Sequence, residues 1–166
     1  MSVIEKIQAL IHCFLWNGSS FTFGFSDVFI RLNIMILQHL FVYGTLRPNL
    51  ASSEAQQLLA EIKIVGSATV QGTLYDFGDF PGVTKGDGIV HGDLLCLSHI
   101  EQLSPFDAYE ECHGISPLFT RSSTKARLHN GVYMPAWIYL YSRDTKTGTQ
   151  IMSGDYGQYI EERCKK

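Results

Sequence analysis

The 166-residue sequence contains no C-x-x-C pair and no histidines at metal-ligating spacing. Its four cysteines stand apart at 13, 96, 112 and 164. They read as free thiols of a reducing cytoplasm rather than as a disulfide or zinc framework. Cys112 and His113 are neighbours, so their side chains diverge, which disfavours a shared metal and a thiol–imidazole dyad. There is no P-loop and no G-x-G-x-x-G, which removes the two commonest nucleotide cradles. Basic residues are scattered and outnumbered, 13 against 16 acidic, for a net charge of −3. That balance argues against a nucleic-acid partner. Asp27 and Arg31 interrupt the apolar N-terminal region, and no clean cleavage site follows it. Neither a signal peptide nor a membrane span is expected there, and no clear membrane association follows.

Apolar residues make up 45% of the chain and charged residues 17%, enough for a real core in one domain. Residues 1–38 read differently from the rest. Ile4 to Trp16 has helical character, and Phe21 to Phe29 is aromatic-rich. We expect an N-terminal extension over 1–38 and a domain over 39–166. The extension is either an appended, poorly packed arm or membrane-touching segment or, in the favoured reading, the product of a start site placed upstream of Met35.

Within the domain, Ile62–Val65 and Ala68–Asp76 predict strands. Turns are expected at Asp79–Val83 and Lys85–Gly88, and a strand from Ile89 to Leu97. Gly72 and Gly92 fall inside strand patterns, a mark of bulges or close backbone approach. Leu118–Leu128 alternates, and Val132–Tyr141 is the best central buried strand, with Pro135 at its start. Two helical stretches stand out. One begins after Ser52, a hydroxyl N-cap. The other runs from Ser98 to Glu111, split by Pro105 with Ser104 as cap. These elements predict a compact, mixed, β-barrel-like α+β domain with a few short helices.

Two places carry chemistry. Leu40-Phe41-Val42-Tyr43 is a short strand that breaks at Gly44, a residue free to take φ > 0. A strand ending this way can aim successive amides of Tyr43, Gly44, Thr45 and Leu46 into one concavity suited to a carboxylate or oxyanion. The alternative is an ordinary turn. The second place is Glu110. At about 100° per residue it shares a helical face with Leu103 and Phe106, while Glu111 is turned away. A carboxylate on an apolar stripe is paired, protonated or at a cavity mouth, or else it simply reaches solvent from a helix end.

Six segments, in order, resemble one family. Tyr43-Gly44-Thr45-Leu46-Arg47-Pro48 is similar to the Y-G-[ST]-L-R loop of the gamma-glutamylcyclotransferase-like (AIG2-like, YtfP-like) superfamily. Phe80-Pro81-Gly82-Val83 and Gly88-Ile89-Val90-His91-Gly92-Asp93-Leu94 resemble its F-P-G and V-x-G-E-[VL] segments. Phe106-Asp107-Ala108-Tyr109-Glu110 resembles L-D-x-Y-E, Ala136–Tyr141 resembles A-W-x-Y-x-Y, and Ser153-Gly154-Asp155-Tyr156 resembles S-G-D-[WY]. There are departures. Glu111-Cys112-His113 stand where glycine usually follows the catalytic Glu, Phe119 replaces a tyrosine, and Asp93 a Glu.

The resemblance implies Glu110 as catalytic acid/base and the main chain of Tyr43, Gly44, Thr45 and Leu46 as the substrate's anion site. It implies a small gamma-glutamyl substrate closed to 5-oxoproline with release of an amine. No cofactor, metal or covalent nucleophile is implied. Two rivals are a binding module, holding a small carboxylate or modified amine in the same cavity without turnover, and an interaction domain using residues 1–38. The leaving group is open: an amino acid, the remainder of glutathione, or a lysine-type amine.

Overall fold

The computed structural model describes residues 38–165; the helix expected over 4–16 and the aromatic stretch over 21–29 lie outside them. Strand β1 (His39–Val42) leads through a loop to helix α1 (Ser53–Leu59) and the long strands β2 (Lys63–Asp76) and β3 (Pro81–Cys96). A 3-10 turn (Ile100–Gln102) and helix α2 (Leu103–Tyr109) follow, then β4 (Phe119–Leu128), β5 (Tyr133–Tyr141), the short β6 (Thr149–Gln150) and helix α3 (Tyr156–Cys164). The strand order is β3-β1-β5-β4-β2-β6, and pairing of β2 with β3 closes β1 to β5 into a mixed barrel. The expected α+β barrel with short helices is what the chain forms.

β1 is central, antiparallel to β3 and parallel to β5, with Leu40 opposite both Leu95 and Trp137. It is buried on both faces, hence its unbroken apolar run. Phe41 joins Val70, Leu74, Val90, Leu94 and Ile138 in one apolar cluster. Leu40 and Val42 point the other way, into a second cluster with Ala55 of α1 and Leu103 and Phe106 of α2. α1 starts as expected: the Ser52 hydroxyl accepts from the Ala55 amide at 3.3 Å. The same division explains β4. Phe119 is buried in the second cluster and Ala126 in the first, so the strand changes its buried face along its length.

Four expectations are corrected. Lys85–Gly88 is no chain reversal but part of β3. The ladder steps from Thr73↔Thr84 to Gln71↔Ile89, so these residues form a wide bulge opposite Gly72. The helical stretch breaks between Gln102 and Leu103, not at Pro105; Gln102 is the N-cap of α2 and Ser104 lies inside. Pro105 is tolerated because it sits in the first turn, where an amide has no partner within the helix. Pro135 is the third residue of β5, opposite Lys125. α3 was not anticipated. Its Asp155 N-cap accepts from the amides of Gly157 and Gln158. Gly92, by contrast, is the expected close approach: a Cβ there would strike the Val42 carbonyl.

We propose that this domain folds without residues 1–38. A chain beginning at Met35 is expected to be soluble, with the β-rich circular dichroism of the full chain. An insoluble or unfolded product, beside a folded full chain, would contradict this.

Candidate active site

The loop after β1 is held rigidly from both sides. Gly44 is buried, and its φ is not in the left-handed region. Its requirement is space: a Cβ would overlap the Pro81 ring at the start of β3. The Tyr43 phenol is buried, donating to the Tyr139 carbonyl at 2.8 Å and accepting from the Val83 amide at 3.3 Å. Its side chain is therefore a brace, and only its main chain is free for other work. Among the described residues, no acceptor is paired with the amides of Gly44, Thr45 or Leu46. Arg47 closes the loop. Its Nε donates to Asp93 at 2.9 Å and its Nη1 to Asp155 at 3.0 Å. Three of the sequence motifs thus meet in one ion cluster that joins the loop to β3 and to the cap of α3.

Glu110 is the residue at which α2 ends. The Glu111 amide bonds to the Ala108 carbonyl at 3.2 Å and the Cys112 amide to the Asp107 carbonyl at 3.0 Å. This double closure requires the residue after the helix to be left-handed. That residue is Glu111, with φ 48°. The position where the resembled motif carries glycine thus takes a left-handed conformation that glycine adopts without strain. A non-glycine residue there costs about 1 kcal/mol. Glu111→Gly is accordingly expected to raise stability by about 1 kcal/mol, read from the urea midpoint; an unchanged or lowered midpoint would count against a strained turn.

The turn also sets the direction of the two carboxylates. Glu111 is exposed, whereas Glu110 follows Leu103 and Phe106 inward, as the helical phase requires. Among the described residues the Glu110 carboxylate has neither a cation nor a hydrogen-bond donor. Burial pushes its pKa up to about 7. Its charge is felt across the cavity, adding to the burial that holds the Tyr43 phenol well above its ordinary value.

Glu110 and residues Tyr43 to Leu46 line one cavity of about 220 Å³. The Tyr109 hydroxyl reaches the Thr45 hydroxyl at 3.5 Å. Phe80 and Phe119 supply an apolar wall, their rings edge to face with centroids 5.9 Å apart. Asp107, the other carboxylate of α2, is occupied. It accepts from the Tyr139 hydroxyl at 2.8 Å and from Arg121 at 2.6 Å, and the Arg121 guanidinium lies over the Trp137 ring. Asp107 therefore ties α2 to β4 and β5, and Glu110 is the carboxylate at this end of the helix that has no partner among the described residues. Tyr109, Tyr139, Phe80 and Phe119 escaped the reading of the residues, although the first three lie within the motifs quoted above. Asp79 and Leu118 also line the cavity and carried no sequence signal. Among the described residues no three His, Cys, Asp or Glu side chains are placed to hold a metal ion. No helix among them is long and apolar enough to cross a membrane.

Comparison with known proteins shows the family. The model of the family "Gamma-glutamyl cyclotransferase, AIG2-like" matches residues 40–158. The gamma-glutamylcyclotransferase family protein YtfP of Escherichia coli K12 is 31% identical over 119 residues, covering 70% of this chain and 94% of that protein. Its counterpart in Citrobacter rodentium is also 31% identical, covering 70% and 93%. The solution structure of the E. coli protein superposes with a TM-score of 0.54 at 26% identity, covering 74% of this chain and 98% of that one. The crystal structure of an AIG2-like protein from Mus musculus shares the fold, with a TM-score of 0.59 at 16% identity over 72% and 88% of the two chains. A barrel loop of unpaired amides opposite a partly buried glutamate is set in a chain that belongs to the AIG2-like gamma-glutamyl cyclotransferase family.

Proposed function

We propose that the protein cyclises a gamma-glutamyl amide to 5-oxoproline and releases an amine. The observation that carries this reading is Glu110, a carboxylate with no cation beside it and a pKa of about 7, on the same small cavity as the unpaired amides of Gly44 to Leu46. At about 220 Å³ the cavity lies below the roughly 300–1,000 Å³ typical of ligand pockets, which favours a small molecule folded on itself.

In this reading the amides of Tyr43 to Leu46 take the substrate's α-carboxylate or the developing oxyanion. Holding the glutamyl chain folded brings its α-nitrogen to its own γ-carbonyl, an arrangement that lowers the barrier by several kcal/mol. Glu110 removes a proton from the α-ammonium. A free α-amino group has a pKa of about 7.7–8.0 and a free Glu about 4.3, so an ordinary carboxylate is a poor base for it. Burial narrows that gap to about one unit. The nitrogen then attacks the γ-carbon, the bond to the leaving nitrogen breaks, and the departing nitrogen takes up two protons, the one held by Glu110 and the second one released by the attacking nitrogen, to leave as an ammonium. We place this activity in the cytoplasm, in keeping with Cys96, Cys112 and Cys164 as free thiols.

The test is incubation with a panel of gamma-glutamyl amides and detection of 5-oxoproline. Formation of 5-oxoproline with stoichiometric amine supports cyclisation. Glutamate in its place indicates hydrolysis, and binding without any product indicates a binding module; either contradicts the proposal.

A further inference from the structure

Among the described residues nothing bonds to the Glu110 carboxylate, so its place is set only by the helix end that carries it. α2 has seven residues, too few to hold their position without packing. What grips it is one face of the β4–β5 pair. Arg121 and Tyr139 are directly opposite each other in that ladder, and Trp137 lies two residues from Tyr139, so the three side chains share a face. The Tyr139 hydroxyl donates to one oxygen of Asp107 at 2.8 Å; Arg121, laid over the Trp137 ring, donates to the other at 2.6 Å. Asp107 stands three residues before Glu110, and its carbonyl takes the Cys112 amide that closes the turn beyond Glu110. Tyr139 is therefore tied to both halves of the site. Its carbonyl accepts from the Tyr43 phenol at the root of the loop, and its hydroxyl holds the helix that ends in Glu110. Tyr139 is only 2% exposed, which leaves its ring little room to move.

We infer that Tyr139 is a positioning residue: its hydroxyl, through Asp107, fixes Glu110 opposite the amides of the loop, while its carbonyl, through Tyr43, fixes those amides. This rests on the cyclisation proposed above for the role of Glu110. The two ends of Tyr139 act on different quantities. The hydroxyl bears on the base and so on kcat; the carbonyl bears on the anion site and so on KM. A tyrosine that merely supported the fold would lower the folded fraction, whichever hydroxyl was lost, and would leave the Glu110 titration in place.

The experiment uses the full chain and the variants Tyr139→Phe and Tyr43→Phe, each of which removes one hydroxyl and keeps the ring. With a gamma-glutamyl amide that the parent turns over, Tyr139→Phe is expected to lower kcat about tenfold with KM within about twofold of the parent. Tyr43→Phe is expected to raise KM about fivefold or more, with the smaller change in kcat. A second readout needs no substrate: the carbon-13 NMR titration of the Glu110 carboxyl, assigned through Glu110→Gln. In Tyr139→Phe the helix end loosens and the carboxylate gains water, so its pKa is expected to fall from about 7 by about half a unit or more. The titratable and charged groups near it, Tyr43 on the loop, Asp79 before β3, Asp107, Glu111 and Cys112 on α2 and its turn, and Arg121 on β4, are all retained in that variant. Should Tyr139→Phe not fold, Arg121→Lys makes the same test from the other oxygen of Asp107, with the same expected fall in kcat and pKa. A Glu110 titration that stays in place or rises, or a loss that falls on KM in Tyr139→Phe and on kcat in Tyr43→Phe, overturns the inference while cyclisation stands. Absence of 5-oxoproline from the parent overturns the cyclisation reading instead, and the titration then decides whether Tyr139 positions Glu110.

Discussion

Replacing Glu110 by glutamine is expected to lower kcat/KM for 5-oxoproline release by roughly 10²-fold or more without loss of the fold. Glutamine keeps the shape of the side chain and removes the base. Asp107 does not substitute for it, because both of its oxygens are engaged by Tyr139 and Arg121. Glu111 does not either, since the left-handed turn carries it outward. Glu111→Gln is expected to change turnover far less, because its side chain is exposed. A variant pattern in which Glu110→Gln retains activity and Glu111→Gln abolishes it would move the acid/base to the other side of the turn.

The same substitution carries a second signature, in stability. Below the ordinary carboxylate range the folded and unfolded chains both hold the Glu110 proton. Between about 4.5 and about 7 the unfolded chain releases it while the folded chain keeps it. Stability therefore falls with rising pH across that window and stays lowered above it. Glutamine does not ionise, so Glu110→Gln is expected to be more stable than the parent at pH 8 by about 1–3 kcal/mol, with the difference vanishing near pH 4. A merely structural glutamate would show the opposite: lost stability on substitution.

Arg47→Ala is expected to cost about 3 kcal/mol, because it leaves two partly buried carboxylates unpaired. For a domain of this size that is a fall in Tm of roughly 10 °C. The loss has three consequences at once: the loop loses its tie to β3, Asp93 loses its cation, and the Asp155 cap of α3 is no longer held. Arg47→Lys should recover only part of it, since a single ammonium does not reproduce a forked guanidinium. Thermal unfolding of the three proteins decides this. An Arg47→Ala variant within 2–3 °C of the parent, a shift of roughly 1 kcal/mol or less, would show the cluster to be a surface pairing of little weight.

Both halves of the candidate site were legible in the sequence, for reasons of unequal quality. Glu110 follows from helical phase, because Leu103 and Phe106 are core residues and a residue four positions on from Phe106 must share their face. Gly44 marks the loop after β1, which lines the cavity, but the physical reason differs. Gly44 makes room for Pro81, a contact between segments 37 residues apart that no local pattern reveals. Tyr43 was legible as part of the loop, whereas its buried phenol bonding to Tyr139 was not.

Two of the errors of fold have one cause, which is that long-range pairing overrides local signals. Gly86 and Gly88 imitate a turn, yet β3 continues through them because it must reach both β2 and β1. α3 has glycine at its second position and few apolar residues, so its helical pattern is weak. Its cap Asp155 gains significance only through Arg47, 108 residues away.

The account depends most on the ionisation of Glu110, and the pH dependence of kcat/KM for 5-oxoproline formation measures it directly. The acid limb is expected to rise about tenfold per pH unit and to bend near 7, the value that burial imposes on Glu110. In Glu110→Gln the residual activity should lack that limb. A bend near 4.5, or a limb near 7 that survives in Glu110→Gln, would contradict the account.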